Sequence, residues 1–168
     1  MVPGVKEAKA LSKMMKSHPV FGNGAFDIVN VAGDGDEEEK TDDALKKVRQ
    51  AINNAGNDGY TITLSCGKLT TGVTVPEWTA VFMLSGSFST SAANYLQTIF
   101  RVQSPCNKNG MIKQCCYVFD FAPDRTLKMV AEAAALSTKA GKASDTDKRI
   151  MGEFLNYCPV ISVDGTEM

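Results

Sequence analysis

Four short strand-like runs, each set apart from the next by a segment of different period, constrain this chain more than any other feature. They cover residues 26–32, 60–66, 79–84 and 115–121. The third is almost wholly apolar. Apolar strand runs separated by helices are what a parallel sheet covered on both faces requires, because neither face of such a strand meets water. The chain therefore reads as α/β.

The intervening segments carry the helical period. Over residues 4–16, Val5, Ala8, Leu11, Met14 and Met15 fall on one face, and His18-Pro19 ends the run. Over 41–54, Ala44, Leu45, Val48 and Ile52 point inward, with Thr41 as the cap and Gly56 as the stop. A third helix spans 91–103 before Pro105, and two more are expected over 124–139 and 145–157. Pro123 closes the fourth strand. Val2-Pro3 reads as the end of a strand whose beginning is missing, and the stretch from Cys158 to Gly165 as a linker or the start of another element. Both ends read as cut from a longer polypeptide.

Composition narrows the function classes. The chain has 168 residues, 43% hydrophobic and 22% charged, which is enough for one domain with a real core. No run approaches the ~20 apolar residues of a membrane span, and no leader is expected at the start. Cysteines stand at 66, 106, 115, 116 and 158. An odd number, with one adjacent pair and no C-x-x-C, fits neither a disulfide framework nor a zinc knuckle; it reads as mostly buried, reduced thiols in a cytoplasmic protein. The net charge of −1 lacks the basic excess of a domain that grips nucleic acid alone. If DNA is a partner, this chain carries only part of the site.

Two segments carry candidate chemistry. Gly67-Lys68-Leu69-Thr70-Thr71-Gly72-Val73-Thr74-Val75-Pro76-Glu77-Trp78 joins two strands and gathers two glycines, hydroxyls and a lysine into one loop. Loops at strand ends of parallel sheets are where ligands bind; glycines admit close approach of phosphates and hydroxyls donate to them. A tight crossover would use the same residues. On the helix over 91–103, Asn94, Gln97, Arg101 and Ser104 form one polar stripe, while Tyr95, Leu96, Ile99, Phe100 and Val102 cover much of the rest. A single arginine in that stripe must find an anion or water.

In order and in element, Gly72-Val-Thr74-Val-Pro76-Glu77 followed by Gln97-Thr-Ile-Phe-Arg101 resembles motifs V and VI of superfamily 2 DNA helicases. The likeness is nearest to the helicase subunits of restriction systems and to phage and plasmid helicases. Val2-Pro3-Gly4-Val5 resembles the tail of motif IV, and Phe119-Asp-Phe-Ala-Pro123 the strand after motif VI. The resemblance implies a RecA-like C-terminal motor domain over residues 1–140, with a helical extension over 141–168 leading towards a following domain. It implies that Arg101 and Gln97 face ATP and act in its hydrolysis, with Gly72 and Thr74 also on the nucleotide side. It implies DNA contact by Gly67, Lys68, Thr70, Thr71 and Gly72, and the N-terminal RecA-like domain of the same parent chain as partner.

Two departures stand out. Thr74 occupies a position where the family often has Asp. In the usual Q-x-x-G-R-x-x-R pattern, Phe100 replaces the glycine and Ser104 the last arginine. No G-x-x-x-x-G-K-[ST] occurs and no Asp-Glu pair ends an apolar strand, so ATP and Mg2+ would be held mainly by that other domain and this chain alone is expected to be inactive. Two other readings are a degenerate, non-catalytic RecA-like scaffold module and an unrelated α/β enzyme using the 67–78 loop as an anion site. The acidic run 34–39 lacks calcium-loop spacing and reads as dipole complementation before a helix; His18 has no catalytic company.

Overall fold

Parallel pairing organises the strands. The structure is a computed structural model, and it describes residues 1–33, 37–67, 69, 73–85, 92–122, 124–125, 145, 149, 152–153 and 156. The chain divides into two compact units, Met1–Phe121 and Ala122–Met168. The first runs α1 (Val5–Ser17), β1 (Phe26–Asn30), α2 (Glu37–Ala55), β2 (Tyr60–Leu64), β3 (Ala80–Met83) and α3 (Ala92–Ile99). A 3-10 turn (Phe100–Gln103), β4 (Asn107–Lys108), β5 (Met111–Ile112) and β6 (Tyr117–Asp120) complete it. In the second unit, Asp124 and Arg125 are helical, as are positions 145, 149, 152, 153 and 156. The remainder of the two expected C-terminal helices lies outside the described residues.

β1 pairs with β2 in parallel, Phe26 opposite Tyr60 and Asn30 opposite Leu64. β3 pairs with β6 in parallel, Ala80 opposite Tyr117 and Met83 opposite Asp120. These are separate two-stranded ladders; β4 and β5 form a third, antiparallel one.

A strand alternates its side chains, and β1 with its two following residues uses that alternation to feed two cores. Ile28 and Ala32 pack with Val2, Ala8 and Leu64, backed by Leu11, Met15 and Phe21 of the α1 side. Val29 and Val31 turn the other way, to Ala44, Val48 and Ile52 of α2 and to Leu69, Val73 and Val75 of the following loop. Helices thus cover this pair on both faces. Val48 and Val75 are almost fully enclosed.

Local details correct the sequence reading. α1 buries Ala8 and Ser12 with Leu11 and Met15 beside them, whereas Met14 is 67% exposed. Its apolar face is one residue narrower than expected, because Met14 lies on the far side of the stripe that Ala8 and Met15 define. α2 begins at Glu37, so Thr41 lies inside the helix instead of capping it. Glutamates are good helix formers and favour the first turn, where the dipole is positive. Residues 34–36 lie outside the described residues. Gly56, at φ +65°, ends the helix as expected.

The β4–β5 hairpin was not expected at all. Its two central residues, Asn109 at φ +52° and Gly110 at φ +82°, both occupy the left-handed region. That is the requirement of a two-residue turn between right-twisted strands, and Asn-Gly is the sequence that meets it most readily.

Candidate functional site

The 67–78 loop leaves β2 through two left-handed residues, Gly67 at φ +96° and Leu69 at φ +63°. Glycine takes that conformation without cost; leucine does not. Leu69 is held there by burial, at 4% exposure, against the core of α2. Val73 and Val75 enter the same core, and Thr74 between them is exposed. Two valines therefore clamp the backbone and leave the threonine hydroxyl on the surface. Lys68, Thr70, Thr71 and Gly72 lie outside the described residues, so the structure places only Gly67, which is exposed, among the five positions assigned to DNA contact.

α3 turns inward at Tyr95 and Thr98, and the 3-10 turn that follows it at Val102, a spacing of three and four. The Thr98 hydroxyl donates to the Asn94 carbonyl at 2.7 Å, which lets a polar side chain sit at 5% exposure. Phe100, read as part of the apolar cover, is 54% exposed. The expected single helix also tightens: α-geometry ends at Ile99 and the 3-10 turn carries Phe100–Gln103. Asn94 and Gln97 remain on the exposed side.

Arg101 sits in that turn, half-buried, and its Nη1 donates to the Val73 carbonyl at 2.7 Å. The polar stripe and the small-residue loop, separated by 28 residues, thus meet through one guanidinium. Arg101 points towards its own loop and does not stand clear in solvent.

Lys113, which the sequence reading passed over, is the most heavily committed cation nearby. Its Nζ donates to the Pro76 carbonyl at 2.7 Å and to those of Trp78 and Val102 at 3.0 Å. An ammonium has three donors, and three converging carbonyls use them all. The lysine follows β5 directly, so the hairpin fixes where it can reach. Two further bonds seat that hairpin against the end of α2: Lys108 Nζ to the Ile52 carbonyl at 3.4 Å, and Asn109 Nδ2 to Asn57 Oδ1 at 2.9 Å. A cation at the last carbonyls of a helix also meets the negative end of its dipole. The signal that could have found Lys113 was the Asn-Gly turn just before it.

The arrangement offers a loop anchored in the core by Leu69, Val73 and Val75 with an exposed threonine, an exposed glutamine on the neighbouring helix, and an arginine at the junction. Its cationic and hydroxyl groups suit an anionic ligand; carboxylates that would hold a metal do not gather among the described residues. None of the four described cysteines is buried, contrary to expectation: Cys66, Cys106 and Cys116 are partly exposed and Cys115 is exposed, and all four are free thiols. Cys115 lies within 3.0 Å of the Tyr117 hydroxyl. That hydrogen bond, followed by the charge of the neighbouring thiolate, raises the Tyr117 phenol above its ordinary value of 10.0. His18 serves its own turn, its Nδ1 accepting from the Val20 N–H at 3.2 Å while the ring lies near Phe21. Among the described residues no helix is long and apolar enough to cross a membrane.

No family model matches the chain, and no solved structure matches it. It is similar to a Mycoplasma pneumoniae protein provisionally named as the C-terminus of a type II restriction enzyme and methyltransferase, at 33% identity over 165 residues. The alignment takes in 95% of this chain and 21% of that relative, so the chain spans about a fifth of its length. The likeness links the chain to restriction-modification proteins.

Proposed function

We propose that this chain is the second motor domain of an ATP-dependent DNA translocase or helicase in a restriction-modification system. The observation that supports this most is the Arg101–Val73 hydrogen bond, which joins the motif VI-like helix to the motif V-like loop. The restriction-modification relative supports the setting without speaking to the motor itself.

In this reading the domain is RecA-like and works across a cleft from an N-terminal RecA-like domain of the parent chain. That domain holds ATP and Mg2+, whose hydrolysis supplies the free energy for movement. This chain contributes two things. Arg101, anchored by its carbonyl bond, presents a cation where phosphoryl charge must be offset. The 67–78 loop, clamped by Val73 and Val75, carries any shift of that arginine directly into backbone that contacts the DNA strand. Gln97 and Thr74, both exposed on the same pair of segments, complete the nucleotide side.

A second reading has a specific observation behind it. Arg101 is half-buried and already bonded within its own domain, as a purely structural arginine in a non-catalytic scaffold module would be. The two readings diverge in the full-length parent. For the motor, Gln97→Ala and Arg101→Lys each lower DNA-stimulated phosphate release at least about tenfold, a loss of roughly 1.4 kcal/mol in transition-state stabilisation. DNA binding at low salt stays within about twofold. Unchanged turnover in both variants removes the motor reading in favour of the scaffold.

A further inference from the structure

The two parallel ladders do not close on each other, and the gap between them has the form of an empty strand position. In β2, the Tyr60 N–H donates to the Ala25 carbonyl and the Leu64 carbonyl accepts from Val31. Even-numbered residues therefore face β1, and the backbone groups of Thr61, Thr63 and Ser65 face the other way. In β3, the Thr79 and Met83 carbonyls accept from Tyr117 and Phe121. The backbone groups of Ala80, Phe82 and Leu84 therefore face away from β6.

These two edges look at each other, and at one end the chain bridges them. The Met1 amine donates to the Phe82 carbonyl. The Leu84 N–H donates to the Met1 carbonyl at 2.9 Å, and the Val2 N–H donates to the Ser65 carbonyl at 2.8 Å. Consecutive residues reaching opposite neighbours is the pattern of a central parallel strand, with Met1 beside Met83. The edges consequently stand two strand spacings apart, about 10 Å.

Beyond Met1 the slot opens into a cavity of about 730 Å³, whose walls include Thr61, Thr63, Ala80 and Phe82. Neither β2 nor β3 has a second ladder partner among the described residues. Row upon row of inward backbone donors and acceptors there is costly unless paired. Leu11 and Phe21 line the cavity from one core, Leu69 and Trp78 from the other.

We propose that this slot seats one further β-strand, parallel to β2 and β3, supplied by polypeptide joined to the Met1 amine. Its direction follows from the parallel pairing of Met1 and Val2, whose amine already occupies the place of a ladder N–H. Its length follows from β2: five residues at ~3.3 Å each, about 16 Å. Its composition follows from the two apolar walls, which require unbroken Val/Ile-type sequence without proline. The Mycoplasma relative has several times more polypeptide than aligns with this chain, so a covalent donor is chemically available in a protein of this kind. The inference stands apart from the motor reading.

The test fuses Val-Ile-Val-Ile-Val to Met1 of the whole 168-residue chain, beside a Gly-Ser-Gly-Ser-Gly fusion and a Val-Ile-Pro-Ile-Val fusion. Amide exchange is read at single residues, with the melting temperature as a second measure. The apolar strand slows the amides of Thr61, Thr63, Ala80 and Phe82 by about 100-fold and raises the melting temperature by about 10 °C. Ile62, Val81 and Met83, already bonded to β1 and β6, change far less. The glycine-serine and proline fusions leave all of them as in the parent. Three results overturn the proposal: equal protection from all fusions, groove amides already protected in the monomeric chain, or a dimer in which a second copy protects them.

Discussion

The Nη1 atom of Arg101 stands 2.7 Å from the carbonyl oxygen of Val73, so the helix end and the loop cannot move independently. A charged donor on a neutral acceptor contributes about 1.5–3 kcal/mol, and half exposure puts this one at the lower end. Arg101→Ala is expected to lower unfolding stability by about 1.5 kcal/mol. The midpoint in urea should fall with an unchanged slope. A stability equal to the parent's would mean the bond is not formed in solution.

Lys113 should matter more to stability than Arg101. It satisfies the Pro76, Trp78 and Val102 carbonyls together, and an apolar replacement leaves all three without their donor. Lys113→Met is expected to cost about 3 kcal/mol, lowering the melting temperature by about 10 °C for a chain of this size. Lys113→Arg should not rescue it, because a planar fork cannot converge on three carbonyls as an ammonium does. Thermal unfolding of the two variants decides this; full rescue by arginine would argue that only the charge counts.

These two residues also show what the sequence could carry. The polar stripe of Asn94, Gln97 and Arg101 was legible because helical spacing reports a face directly, and all three do face away from the core to some degree. The phase of the apolar side was less legible. Thr98 takes a buried place only because its hydroxyl folds back on Asn94, and Phe100 gives one up where the helix tightens to 3-10. Lys113 was legible only through the Asn-Gly turn before it, which places a hairpin and not a ligand. Two of its three partners lie 37 and 35 residues back in the chain, and a lysine beside a short hairpin looks like any surface lysine. Strand positions were read correctly within two residues at each end, because apolar runs locate strands; their grouping into two separate ladders depends on long-range pairing that no local pattern encodes.

The hairpin offers a cleaner backbone test. Gly110 sits at φ +82° with open space around the missing Cβ. Gly110→Ala therefore meets no clash, and its effect reports conformational strain alone, about 1 kcal/mol. Because this turn positions Lys113, exchange at the Val102 and Trp78 amides should quicken as well. Stabilisation by the alanine would show that the turn is not left-handed.

The Tyr117 phenol, raised by its hydrogen bond with Cys115 and then by the charge of that neighbour as a thiolate, should ionise later than an ordinary tyrosine. In an absorbance titration, the Tyr117→Phe difference isolates its transition above pH 10.0. Cys115→Ala removes both causes, and the transition should move down towards the ordinary value. No movement would mean that the two groups do not meet.

Val75 and Thr74 are neighbours with opposite environments, and they separate the loop's structural role from its proposed chemical one. Val75 is 1% exposed in the core that α2 and the loop share, whereas Thr74 is exposed. Val75→Ala removes two buried methyl-equivalents and should cost about 2 kcal/mol, from lost transfer energy and the cavity left behind. Thr74→Ala should change stability by no more than about 0.5 kcal/mol. Only the threonine variant is then clean enough to test nucleotide contact in the full-length parent, where a raised KM for ATP with normal DNA binding is expected. If Thr74→Ala instead unfolds the loop, or if Val75→Ala is silent, the clamp drawn from these two burials is wrong.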